Sequence, residues 1–300
     1  MTLLRRIFML LAVVLLGGCG DYVVEKDAVY YRQAGWFNVE KIDGADPASF
    51  RRIDREYAAD RSRAYFRGRP IAGAAPATLQ RIDGSEYAHD GRNVYAQTLL
   101  VPGADVASFR RMGRFGIDRH RAYSGATPRP LCAIESLATD AHGWYTDRHC
   151  VYSPVNLARI EEADRASFRP LSASHASDAR YGYSLLSPIG TPTDHRYGLR
   201  VIDDVCDAGS LRHERGWLVD DRCVYDQHFI RIEPLDRASF RIISSQYAAD
   251  RMQVFDSRGI RRDDLDPATA RPHGRDCPNC IRDNRRCFDE FREVPCRSKR

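Results

Sequence analysis

Residues 56–66 read Glu56-Tyr57-Ala58-Ala59-Asp60-Arg61-Ser62-Arg63-Ala64-Tyr65-Phe66. β-Forming residues flank a polar tetrad, which predicts strand, tight turn, strand. An Asp that opens such a turn accepts hydrogen bonds from backbone N–H groups two residues on and so fixes the loop. The rings three before and five after the Asp are expected roughly opposite each other on the paired strands. Each such pair adds about 0.2–1 kcal/mol beyond burial.

The frame returns as Tyr87…Asp90…Tyr95, Phe115…Asp118…Tyr123, Trp144…Asp147…Tyr152, Trp217…Asp220…Tyr225 and Tyr247…Asp250…Phe255. A first copy places Glu25 between Tyr22 and Tyr30, and a weaker one keeps only Asp178 and Tyr183. Asn93, third after its acid counting from Asp90, suits a left-handed turn conformation. A period of about thirty residues marks a repeat array, in which each unit buries its apolar face only against its neighbours.

A second element alternates with the first. Its copies begin at Asp46-Pro47-Ala48-Ser49-Phe50, Ala75-Pro76, Asp105-Val106, Asp164-Arg165, Asp236-Arg237 and Asp266-Pro267. Asp followed by Pro is an N-cap plus a first helical residue, so a single helical turn is expected. Its closing Phe or Leu plugs the core ahead of a short strand such as Arg51-Arg52-Ile53. The fold class is therefore all-β, an array of about eight hairpin units with single helical turns. Thirty residues hold about three short strands, fewer than a four-stranded blade of roughly 40–45 residues. A closed ring and an open stack both remain possible on this reading.

Asp-x-x-x-Val-Tyr hairpins alternating in register with Asp-Pro-x-Ser/Thr-Phe turns resemble the DKNYY family of bacterial envelope proteins. The resemblance runs over roughly residues 21–271 and implies the fold rather than any chemistry. The chain departs from the family pattern in using Asp-Arg or Asp-Gly after the strand, and Asp194 is followed by Leu199 where Tyr is expected.

The first eighteen residues read as an address. Arg5 and Arg6 form a positive n-region and Ile7 to Leu16 an apolar run of ten. Ten helical residues span about 15 Å, half of the roughly 30 Å hydrocarbon core, so this is a signal segment and not a membrane span. Leu16-Gly17-Gly18-Cys19 resembles a bacterial lipobox, with Cys19 lipidated as the new N-terminus; ordinary secretory cleavage is the alternative. By the lipoprotein sorting rule, Gly20 rather than Asp after the Cys implies the outer membrane, facing the periplasm, in a diderm host. Domains are expected at 1–18 (signal), 19–271 (repeats) and 272–300 (a Cys-rich cap). Loss of Arg5 and Arg6 takes the net charge from +5 to +3. Lysines occur only at Lys26, Lys41 and Lys299, and acids interleave with the arginines. A phosphate-tracking stripe needs segregated positive charge, so no nucleic-acid partner is expected.

Without Cys19, eight cysteines remain, an even number suited to an oxidising compartment. Cys150 and Cys223 lie two positions before Tyr152 and Tyr225, and each has an upstream Cys at similar distance. Equivalent placement predicts Cys132–Cys150 and Cys206–Cys223, each worth about 3 kcal/mol by loop closure. Cys277, Cys280, Cys287 and Cys296 are expected to form two disulfides of undetermined pairing. A four-thiolate zinc site and a redox role for Cys277-Pro278-Asn279-Cys280 are the alternatives.

No histidine constellation and no H-E-x-x-H, G-x-S-x-G or Walker pattern appears. His120 and His149 are expected as solvent-facing turn residues. The lone aspartates, each with Arg close by, are expected to shape turns (Asp60, Asp90, Asp118, Asp147, Asp220 and Asp250) rather than bind calcium. No catalytic residue, metal or cofactor is assigned. Residues 124–143 and 172–216, including the loop-like run from Ser187 to Thr193, break the repeat and could carry binding loops. The expected function is a non-catalytic, lipid-anchored binding module with a protein partner in the envelope. The alternatives are an immunity lipoprotein against a toxin and an envelope hydrolase with its site in those two insertions.

Overall fold

The structure, a computed structural model, describes residues 20–33, 39–186, 198–274, 277 and 279–296. The signal segment, Cys19, Asp194, His195 and the Ser187–Thr193 loop lie outside the described residues. Among the described residues there is no α-helix, and the strands form nine small antiparallel sheets. The chain divides into two compact units, Met1–Pro130 and Leu131–Arg300. The first holds four of the sheets and the second five.

The second sheet shows how one copy is built. Its strands are Arg51–Arg52, Tyr57–Ala59, Ala64–Phe66 and Arg69–Pro70, hydrogen-bonded in chain order. Thirty residues thus hold four strands, one more than expected, because each strand is only two or three residues long. Arg67 and Gly68 join the last pair, both with positive φ (47° and 78°), the mark of a tight two-residue hairpin loop. Gly68 is doubly required, since a side chain there would also meet Cβ of Tyr31 at 2.8 Å. Three sheets carry only a single bridge in the fourth-strand position: Tyr152↔Arg159, Tyr225↔Arg231 and Phe255↔Arg261.

The rings do not face each other across the hairpin. Asp60 and Arg63 close the turn backbone to backbone at 2.9 Å, so Tyr57 pairs with Phe66 and Tyr65 with Ala58. Alternation then sends Tyr57 and Tyr65 to opposite faces of the sheet. Tyr65 packs backward on Tyr22, Tyr31 and Ile42, while Tyr57 packs forward on Leu79, Ala88 and Tyr95. The same exchange recurs as Tyr87 with Tyr123, Trp144 with Tyr183, Trp217 with Phe255, and Tyr247 with Phe288. The central hairpin of the second sheet, Tyr57–Ala59 and Ala64–Phe66, is buried on both faces, which is why its two short strands are apolar throughout. The first sheet confirms the rule by exception. Tyr31 pairs with Tyr22 and is buried, whereas Tyr30 is half-buried on a face with no preceding sheet among the described residues, and Glu25 is exposed.

The closing residue of the helical turn plugs the gap, as its sequence position suggests. Phe109 lies 5.1 Å from Tyr87 and 5.6 Å from Tyr123, and Phe168 stands likewise between Trp144 and Tyr183. Leu218 and Ile281 take the place beneath the smaller plugs Leu211 and Ala270, but beneath a Phe plug the residue is small. Ala58, Ala88, Ala176 and Ala248 fill that position fully buried, and a Cβ on Gly116 would come within 2.3 Å of Phe109.

Among the described residues, both expected insertions contain regular units. Ile134–Ser136 is a helical turn followed by Ala138–Thr139, the first strand of the fifth sheet. Arg169–Pro170, His175–Ser177, Gly182–Ser184 and Arg200–Ile202 form a full four-stranded sixth sheet. The C-terminal segment is a ninth copy: Arg271–Pro272, Cys280–Arg282, Cys287–Asp289 and Arg292–Val294 pair in the same order.

Candidate functional site

Six of the hairpin-turn aspartates are four-way nodes. Asp60 Oδ1 accepts N–H bonds from Ser62 and Arg63, both at 2.7 Å. Its Oδ2 accepts the N–H of Asp46, which opens the preceding helical turn, at 3.1 Å and the Tyr65 hydroxyl at 2.7 Å. The carboxylate therefore ties its own hairpin to its own helical turn. Asp90, Asp118, Asp147, Asp178 and Asp220 repeat all four contacts, the Oδ2 partners being the N–H groups of Ala75, Asp105, Ala133, Asp164 and Asp207. Asp250 and Asp283 keep the three backbone bonds, because Phe255 and Phe288 carry no hydroxyl. A neighbouring serine reinforces the joint: Ser49 Oγ donates to Asp46 and accepts the Arg61 N–H. Asn93 is not left-handed; in that turn the positive φ (87°) falls on Gly91.

Two nodes, Asp178 and Asp283, stand where the sequence frame is incomplete. Asp283 stands in the tail, where Cys280 replaces the upstream ring and Phe288 the downstream one. Around Asp178 the upstream slot is filled by His175. Where that slot holds a ring with a polar tip, its donor reaches a carbonyl in the following copy. Tyr22 and Tyr57 hydroxyls donate to Glu56 and Glu86 carbonyls at 2.8 and 2.5 Å, and Trp144 and Trp217 indole N–H groups to Ser172 and Ser244 at 2.9 and 3.0 Å. His175 Nε2 meets the Gln227 carbonyl at 2.8 Å. A carbonyl can only accept, so Nε2 carries the proton and Nδ1 is the acceptor.

Nδ1 in turn lies 3.1 Å from Ser172 Oγ, a separation at which a nucleophile and its base would stand. The remaining contacts are structural. Ser172 Oγ accepts the N–H groups of Ser174 and His175, as Ser244 Oγ does for Gln246 and Tyr247 in the eighth sheet. His120 and His149 are exposed, and their backbone N–H groups serve the Asp118 and Asp147 nodes.

Electrostatics follow from these bonds. Burial raises the Asp60 pKa, but the donors Tyr65, Asp46, Ser62 and Arg63 outweigh it and hold the group down at about 2. Asp90, Asp118, Asp147 and Asp283 are lowered in the same way. Burial lowers His175 to about 4; the Gln227 carbonyl opposes this, and the charges of His213 and His228 add to it. The folded chain thus binds fewer protons at His175 than the unfolded chain, whose imidazole titrates near 6.5. Stability is expected to fall as the pH drops from about 6.5 to about 4, by roughly 3 kcal/mol from this residue. It should fall again toward pH 2 as the nodes protonate. Urea midpoints across this range, with the His175 imidazole followed by NMR, check both steps; an imidazole titrating near 6.5 would contradict the first.

Two of the disulfides join segments that the nodes already join. Cys132–Cys150 and Cys206–Cys223 form as expected. Cys132 precedes Ala133 and Cys150 is third after Asp147, so the staple runs beside the Asp147 bridge; the second staple has the same relation to Asp220. The tail pairs as Cys277–Cys280 and Cys287–Cys296. Asp289 approaches Cys277 Sγ at 3.5 Å, but with all four sulfurs in disulfides no thiolate is left for zinc.

The first compact unit also carries a cleft of about 650 Å3. Its wall includes Gly20, Tyr31, Gln33, Gln97 and four arginines, with Glu56 as its one carboxylate. Among the described residues no helix is long and apolar enough to cross a membrane. No curated protein and no solved structure matches the chain. The first hairpin, the whole second sheet and the start of the third, residues 22–87, match the family model of the DKNYY family.

Proposed function

We propose that the chain is a lipid-anchored protein of the bacterial envelope, held through Cys19 and acting as a binding module without catalysis. The observation that carries this reading is the contrast between the nodes and the cleft. The repeated carboxylates, which a hydrolase would recruit as acid and base, are taken up by backbone donors. The cleft instead offers cationic and amide side chains. The signal segment ending at Cys19 supports a lipid anchor, and paired cysteines suit an oxidising compartment.

Metabolic labelling with a fatty acid tests the anchor. The full chain expressed in a diderm bacterium should take up label and sediment with membranes, and a Cys19→Ser variant should do neither. Equal labelling of the variant would overturn the anchor. Incubating the purified chain with peptidoglycan and with peptide and ester substrates tests the other half, and turnover of any of these would overturn the non-catalytic reading.

A further inference from the structure

The cleft of the first unit has a charge imbalance that its own acids do not settle. Arg81 donates to Asp54 at 2.9 Å and to Glu56 at 2.5 Å, while Arg67 Nε donates to the other Glu56 oxygen at 2.8 Å. Asp54 also accepts the N–H groups of Glu56 and Tyr57 at 2.7 Å. Both guanidiniums are further held over rings, Arg67 over Phe66 and Arg81 over Tyr57. These pairings use up both carboxylates. Arg55 and Arg69 line the same cleft, are exposed, and have no carboxylate partner among the described residues. The segment 34–38 that follows Gln33 carries no acid that could supply one.

Building on the binding reading above, we infer that this cleft binds a phosphate group, with Arg55 and Arg69 as its direct ligands. A carboxylate presents two oxygens, enough for one bidentate guanidinium fork. A phosphate offers three or four oxygens and takes two forks at once, which matches two unpaired arginines in one cleft. Amide donors and acceptors on the wall, Gln33 and Gln97, supply polar contacts for whatever bears the phosphate. The phosphate belongs either to a soluble ester or to a lipid headgroup. Gly20 lies in the wall, pressed so closely on Tyr31 that a Cβ would stand 2.3 Å from its hydroxyl. One peptide step of about 3.8 Å separates it from Cys19. A lipid on Cys19 would therefore bring headgroups to the cleft.

Calorimetric titration of the purified full chain in nonionic detergent tests this, using inorganic phosphate, a short-chain phosphatidylglycerol and acetate as probes. Phosphate and the lipid are expected to bind with dissociation constants of about 1 mM or below, and acetate about tenfold more weakly. Tighter binding of the lipid than of phosphate assigns the headgroup, and equal binding a soluble ester. In the doubly substituted Arg55→Gln/Arg69→Gln chain both should weaken about tenfold or more, with an unchanged denaturation midpoint because both side chains are exposed. Absence of phosphate and lipid binding, equal affinity in the double variant, or acetate as strong as phosphate would overturn the assignment. None of these results touches the anchor or turnover tests, so the two readings fail separately.

Discussion

Replacing Asp178 by Asn lowers the stability of the chain by about 2–4 kcal/mol although the side chain keeps its shape. The wild-type carboxylate is fully buried and accepts four bonds: Arg180 and Tyr181 N–H at 2.7 Å, Asp164 N–H at 2.9 Å and the Tyr183 hydroxyl at 2.6 Å. An amide has one acceptor oxygen, so its NH2 must face one of these donor pairs. The Tyr183 hydroxyl can turn and accept, but the Asp164 N–H cannot, which leaves a buried backbone donor unpaired at about 1–3 kcal/mol. The charge that strengthened the other bonds is lost as well. Asp178→Ala should cost more, and Tyr183→Phe only about 1 kcal/mol, since one bond goes and the ring stays. Urea denaturation of the three variants measures the order, and a harmless Asp178→Asn would contradict the node.

Trp217→Ala is expected to cost about 3–5 kcal/mol, the range for emptying a buried aromatic site. Its ring has no exposure and packs on Ile232, Ala248 and Phe255, with Phe240 edge-on at 6.2 Å. The indole N–H also reaches the Ser244 carbonyl, so truncation removes both the packing and the polar link to the next copy. Trp217→Phe separates the two, keeping much of the area while leaving that carbonyl without its donor, for about 1–2 kcal/mol. In an array held by nearest neighbours, the loss should spread to the eighth sheet and spare the first compact unit. Limited proteolysis reads this out as cutting near Ser244 and Ser245 before any cutting of the second sheet; simultaneous cutting of both would contradict nearest-neighbour support.

Much of the unit was legible because its chemistry is local. An Asp capping a four-residue turn writes itself into sequence, as does a Phe closing a helical turn. The opposite-faces arrangement is legible too, although it differs from the ring-to-ring pairing expected across the hairpin. Closing the turn between Asp60 and Arg63 fixes the pairing of residues 57 and 66, so counting outward from the turn puts Tyr65 opposite Ala58. Around Asp147, Asp178 and Asp220 some residue names depart from the pattern while the functions persist. His175 serves as a ring with an N–H. Ala133 and Asp207 open helical turns without proline, yet Ser136 and Ser210 stand three residues on, as Ser49 does after Asp46. Cys280 in the tail gives no such clue, and only Asp283 and Phe288 at the usual spacing mark that copy. The cleft could not be read at all, because the pairing of Arg81 with Asp54 and Glu56 crosses from one copy to the next.

The central claim is that carboxylate nodes hold eight of the nine described copies, including those around Asp178 and Asp283. Native-state amide exchange at Arg180, Tyr181, Arg285 and Arg286 tests it most directly, against Ser62 and Arg63 as reference. The account predicts that all six amides, each donating to a node at 2.7 Å, exchange slowly despite sitting in surface turns. Exchange at Asp178 and Asp283 as fast as in an open loop, with Asp60 protected, would contradict it.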